Sequence, residues 1–126
     1  MSSVKTLATV AAVLVTAIGG TIVQAKAAGA IAIGECDRAG WSRNYETESG
    51  ARARALRECR ANGDTACKIV VNVNGACAAF AVSGRCGARG WAYAPTSSRA
   101  RELALNACSD YGGNNCTVRV SFCDEN

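Results

Sequence analysis

Histidine is absent from this chain of 126 residues, and proline and methionine occur once each. Without an imidazole the Ser-His-Asp and Cys-His catalytic arrangements, the HExxH zinc site and a histidine pH switch are all excluded. Aromatic residues are scarce at 6%, so aliphatic side chains and covalent links must supply most of the core. Charged residues are also modest at 19%, against 49% hydrophobic, which excludes a disordered tail. The length allows one domain, or one domain behind a processed leader, and no large cofactor-binding architecture.

What is present begins with an export signal. Lys5 supplies the positive start, Leu7 to Ile18 is an apolar run broken only by Thr9 and Thr16, and small residues follow. Val23-Gln24-Ala25 fits the small-x-small cleavage rule, so residues 1–25 read as a signal peptide, with cleavage as late as residue 28 also fitting. Leu7 to Val23 spans only 17 residues and contains Gly19 and Gly20, short of the roughly 20 needed to cross a bilayer, so no transmembrane span is expected in the mature form. A secreted or periplasmic location follows. The mature chain carries 13 Lys and Arg against 10 Asp and Glu, a mildly basic balance.

An oxidising compartment makes the eight cysteines a disulfide framework. The Cys59 to Cys67 and Cys108 to Cys116 spacings do not match zinc knuckles, and no metal or cofactor is expected.

The mature chain also matches itself at an offset of 49 to 50 residues. Ala30-Ile31-Ala32-Ile33 aligns with Ala79-Phe80-Ala81-Val82, and Gly40-Trp41 with Gly90-Trp91; Cys36 aligns with Cys86, Thr47 with Thr96, Cys59 with Cys108 and Cys67 with Cys116. The pattern predicts one α+β domain over 29–126, built of two pseudo-symmetric ββαβ repeats at about 29–77 and 78–123 and stapled by disulfides. Thr47 and Thr96 are expected helix N-caps, and Glu48 suits the positive end of the helix dipole. Gly63 and Gly112-Gly113 suit the helix ends. In the last strands, alternation predicts one buried face holding Ile69, Val71 and Val73, and in the second copy Val118, Val120 and Phe122, with Cys67 and Cys116 on that same face.

A helix ending in cysteine, a glycine turn and a strand opening with cysteine bring two sulfurs together, so Cys59 is expected to pair with Cys67 and Cys108 with Cys116. Cys77 and Cys123 both follow a third strand, and Cys36 and Cys86 occupy equivalent hairpin turns. Both of these pairs are expected to bridge the pseudo-twofold.

From Gly29 to Cys123 the chain resembles the bacterial domain-of-unknown-function family 4189. The carrying residues are Gly29-Ala30-Ile31-Ala32, Gly40-Trp41, Ala55-Leu56 to Cys59, the Cys67 strand, Asn74-Gly75-Ala76-Cys77 and Val118 to Cys123. The resemblance implies a small exported fold and no particular activity. Cys36, Cys86 and Pro95 stand outside its pattern.

Strand alternation places Trp41, Arg43 and Tyr45 on one face, with Trp91 and Tyr93 on the equivalent face of the second copy. Aromatics interleaved with arginine suit a contact surface; the alternative is that both tryptophans are core. Arg52, Arg54, Arg57 and Arg60, with Arg99 and Arg101, read either as a stripe for an anionic partner or as solvated helix faces. The carboxylates Glu35, Asp37, Glu46, Glu48, Glu58, Asp64, Glu102 and Asp110 do not recur between copies, so no catalytic pair stands out.

These features favour a non-enzymatic module that binds another protein, as an inhibitor or immunity-type protein. A binder of anionic cell-wall glycan is the second reading and a small carboxylate-dependent hydrolase the third. Nucleic acid is not an expected partner.

Overall fold

The structure is a computed structural model that describes residues 27–61, 63 and 65–124. The signal-peptide reading of residues 1–25 lies outside the described residues, as does Asp64. No described helix is long and apolar enough to cross a membrane.

The chain runs β1 (Ala28–Ile33), β2 (Ala39–Tyr45), α1 (Glu48–Arg60), β3 (Lys68–Asn74), β4 (Cys77–Val82), β5 (Arg89–Ala94), α2 (Ser97–Asp110) and β6 (Thr117–Cys123). It is an α+β fold of two ββαβ units. Each unit forms a three-stranded antiparallel sheet with its first strand in the middle, in the orders β2-β1-β3 and β5-β4-β6.

Four layers result from a two-sided pattern in the central strands. Ile31 and Ile33 of β1 point toward the other sheet, where they join Val71, Val73, Phe80, Val82 and Phe122 in one buried cluster. Ala30 and Ala32 point the opposite way, onto Ala51, Ala55 and Cys59 of α1. In the second unit Ala79 and Ala81 meet Ala100, Ala104 and Cys108 of α2. Large side chains therefore fill the space between sheets, and alanines let each helix lie close on its sheet.

Both helices start as the sequence predicts. The hydroxyl of Thr47 accepts from the Gly50 amide at 3.0 Å, and that of Thr96 from the Arg99 amide at 3.3 Å, filling two otherwise unpaired helix donors. Gly63 and Gly112 adopt left-handed φ of 86° and 92° just past the helix ends.

Four disulfides close the fold. Cys59–Cys67 and Cys108–Cys116 each tie a helix end to the strand that follows, and Cys36–Cys86 joins the β1–β2 and β4–β5 turns across the two units. Cys77–Cys123 does not cross the pseudo-twofold as expected. Cys77 opens β4, directly opposite Cys123 of β6, so this bridge lies within the second sheet.

Two strand expectations also need correction. In β3 the register shifts so that Ile31 pairs with Val71 but Ala32 with Ile69, leaving Val70 as an extra residue. This bulge reverses the alternation. Val71 and Val73 face the other sheet, whereas Ile69 and Cys67 pack on the helix side, where Cys67 meets Cys59. β6 repeats the shift between Val120 and Val118, which places Cys116 on the α2 side.

Candidate functional site

β2 ends its sheet, and the two tryptophans of the repeat have different surroundings on the end strands. Trp41 of β2 lies with its ring stacked on Phe122 of β6, centroids 5.2 Å apart and planes 18° apart, yet remains 43% exposed. One ring face is held and the other is open. Val73 stands where the repeat would place a counterpart of Phe122, and Trp91 is half-buried against the inter-sheet cluster. The core reading thus fits Trp91, whereas Trp41 keeps one face exposed.

Trp41 lines a polar groove of about 380 Å³ whose walls come from both units. The β1–β2 turn supplies Asp37 and Arg38, α1 supplies Glu58, and the second unit supplies Arg85 and Arg119. A neighbouring hollow of about 240 Å³ continues past Trp41 along β2 to Arg43, Tyr45 and Arg54. The junction is cross-tied: Arg119 bonds Asp37 at 2.7 Å, and Arg89 donates to the carbonyls of Gly34 and Cys36. The hydrogen bond from Arg119 holds the Asp37 carboxyl below its ordinary pKa.

Tyr45 does not share a face with Trp41 and Arg43. Asn44 takes a left-handed φ of 61° at a register shift that pairs Ala28 with Tyr45 but Ala30 with Ser42. The bulge turns Tyr45 to the helix side, where it packs against the cluster of Ala28, Ala51 and Ala55 and its hydroxyl accepts from Arg54 at 3.5 Å. Trp91 and Tyr93 do alternate regularly on β5. Tyr93 is 63% exposed and borders a separate apolar hollow with Ala76, Pro95 and Leu103. A wider hollow of about 570 Å³ lies on the outer side of α2, beside Arg101, Glu102 and Leu105; it contains no aromatic ring. Three of the helix arginines form local ion pairs at the surface, Arg52 with Glu48, Arg54 with Glu58 and Arg99 with Glu102.

The residues that match a known family are 28–123, and the family is described as Domain of unknown function (DUF4189). The chain belongs to this family. No curated protein and no solved structure matches it. In this DUF4189 domain the Gly-Trp pairs serve two contacts at once. Gly40 and Gly90 face the helices and Trp41 and Trp91 the opposite side, so each pair joins a close helix contact to an aromatic on the inter-sheet side.

One carboxylate of this DUF4189 domain was not legible in the sequence. Asp124 is only 7% exposed; its Oδ1 accepts the Asn44 amide at 2.9 Å, while Oδ2 is buried with no hydrogen-bond partner among the described residues. Gly29 makes room for it, because a Cβ there would lie 2.7 Å from Oδ2. Desolvation raises its pKa, against the opposing effects of the Asn44 amide and the Arg43 charge. A folded-state pKa above the unfolded one means that the fold prefers the protonated acid. The stability it contributes is full below the unfolded carboxylate value and is lost as pH rises through the folded value. Asp124→Asn is therefore expected to flatten that part of the stability–pH curve and to gain about 1 kcal/mol at neutral pH. Denaturant unfolding at a series of pH values checks this; an unchanged slope would contradict it.

Proposed function

We propose that this DUF4189 domain is an exported, non-catalytic module that binds a partner protein through the Trp41 groove, in an inhibitor or immunity-type role outside the cytoplasm. The supporting observation is a tryptophan that is 43% exposed yet fixed by its stack on Phe122, inside a groove rich in arginine. Tryptophan and arginine supply a disproportionate share of the energy at protein interfaces, and a ring already held in place loses little entropy when a partner covers it.

The carboxylates favour binding over catalysis. A glycosidase-like pair needs one acid kept protonated at working pH. Asp37 and Glu58 share the groove, but each is paired with an arginine, and Asp37 is shifted toward the charged form. Asp124 is shifted the other way, packs against Gly29 and is not among the residues that line either hollow.

Affinity capture with the oxidised protein from native envelope and culture fluid, read by mass spectrometry, tests the proposal. One stoichiometric protein is expected in the eluate, and it should be lost when the bait carries Trp41→Ala. The open face of Trp41 also suits stacking on a sugar ring, which keeps the glycan reading as the second. An eluate without an enriched protein, while the domain sediments with isolated cell wall in a salt-sensitive way, would overturn the first reading in favour of that one.

A further inference from the structure

The groove has a floor that its side chains alone do not explain. β2 ends the sheet β2-β1-β3, so no described strand pairs with its outer edge. Both hollows follow that edge, the first touching Ala39 and Trp41 and the second Trp41, Ser42, Arg43 and Tyr45. α1 forms one wall through Arg54 and Glu58, and the second unit forms the other through Arg85, Arg119 and Val120. The channel thus runs along a strand edge. An exposed edge presents unpaired backbone donors and acceptors that template the pairing of another strand.

The charge around the channel selects the chain. Five arginines line it, Arg38, Arg43, Arg54, Arg85 and Arg119, against two carboxylates, Asp37 and Glu58. Both carboxylates are already engaged, Asp37 by Arg119 and Glu58 by Arg54, and Arg43 and Arg85 add positive charge along the edge. Charge of one sign in a groove raises the local concentration of an opposite partner and sets its register.

We propose that the groove takes an extended acidic segment of the partner protein, which adds to β2 as a further strand, lays an apolar side chain or its backbone over the open face of Trp41, and places its carboxylates on Arg43 and Arg85. This rests on the reading of the Trp41 groove as the contact surface. It adds the backbone pairing and the acidic chemistry of the occupant.

Strand addition depends on chirality, whereas charge attraction does not. The oxidised protein, with Trp91→Phe to leave Trp41 as its only tryptophan, is titrated at low salt with three polyanions. These are L-oligoglutamate long enough to cover the seven residues of β2, its D-enantiomer, and oligogalacturonate of matched charge. Trp41 fluorescence reports occupancy, and the amide band of an isotope-labelled peptide reports strand formation. The L-peptide is expected to bind roughly tenfold more tightly than either of the others and to show a strand-type amide band, with Arg85→Glu weakening it. Equal binding of all three overturns strand addition while leaving the groove an anion-accepting contact surface. Preference for oligogalacturonate overturns it in favour of an acidic glycan. No binding by the L-peptide overturns it as well, and the capture experiment with Trp41→Ala then decides the parent reading separately.

Discussion

Gly40→Ala and Gly90→Ala are each expected to destabilise the protein by about 3 kcal/mol or more, the upper end for overpacking a tight interior. A Cβ at Gly40 would run into the carbonyl of Ala55 and the amide of Cys59, and would sit 2.8 Å from the Glu58 Cβ. At Gly90 it would meet the Ala104 carbonyl, the Cys108 amide and, at 2.8 Å, the Ala107 carbonyl carbon. These are mostly backbone atoms of a helix, and the helix end is tied down by Cys59–Cys67 or Cys108–Cys116, so it cannot shift without moving the strand it is bonded to. Gly112→Ala is the control. Its φ is 92° but nothing lies within 4 Å of the added atom, so only the backbone cost of about 1 kcal/mol applies. Denaturant unfolding with the disulfides intact separates the two. Equal losses at Gly90 and Gly112 would show that the helix does not lie as close to its sheet as the structure places it.

Removing the bridge between units by the double substitution Cys36→Ala and Cys86→Ala is the second large effect. This disulfide spans 50 residues, and loop-closure entropy gives about 4 kcal/mol for its loss, against about 2.5 kcal/mol for Cys59–Cys67, which spans 8. The consequence extends to the groove. Asp37 and Arg38 follow Cys36 and Arg85 precedes Cys86, so freeing the two turns loosens opposite walls of one channel. The remaining polar ties at these turns include the Arg89 bonds to Gly34 and Cys36 and the exposed Arg119–Asp37 pair, and an exposed pair contributes less than about 1 kcal/mol. The double variant should therefore lose both its urea midpoint and its hold on the partner, whereas a Cys59, Cys67 double variant should lose less stability. A larger loss from the short bridge would contradict this.

Much of the architecture was legible because duplication writes each feature twice. The offset of about 50 residues located both helices, both N-caps and the cysteines that meet at the helix ends. The layering was present too, in Ala30-Ile31-Ala32-Ile33 and Ala79-Phe80-Ala81-Val82, where small and large residues alternate. Small residues mark the side on which a helix lies close, and large ones the side that faces the other sheet. The bulges were not legible. A single extra residue at Asn44, or at Val70, reverses every side chain on one side of it, and neither position carries the glycine that often marks such a kink. That is why strand alternation puts Tyr45 beside Trp41 and Cys67 beside Val71, on faces they do not occupy. Asp124 carries no signal of its own, because Asp124-Glu125-Asn126 reads as a polar tail after the last cysteine. The signal lay in Gly29, the one central-strand position of the first unit without a side chain, which leaves room for a carboxylate from the second.

The central claim is that contact runs through Trp41 and not through the other exposed aromatics. Its most direct measurement is a titration of the captured partner against the oxidised wild type, Trp41→Ala, and a Tyr93→Ala, Tyr111→Ala double variant. Tyr93 and Tyr111 are more exposed than Trp41, at 63% and 75%, but neither lines the groove. The account predicts that Trp41→Ala weakens binding by about thirtyfold, the 2 kcal/mol scale of an interface hot spot, while the double tyrosine variant stays within about twofold of wild type. Full affinity in Trp41→Ala, with loss in the tyrosine variant, would contradict it and move the contact surface to the second unit.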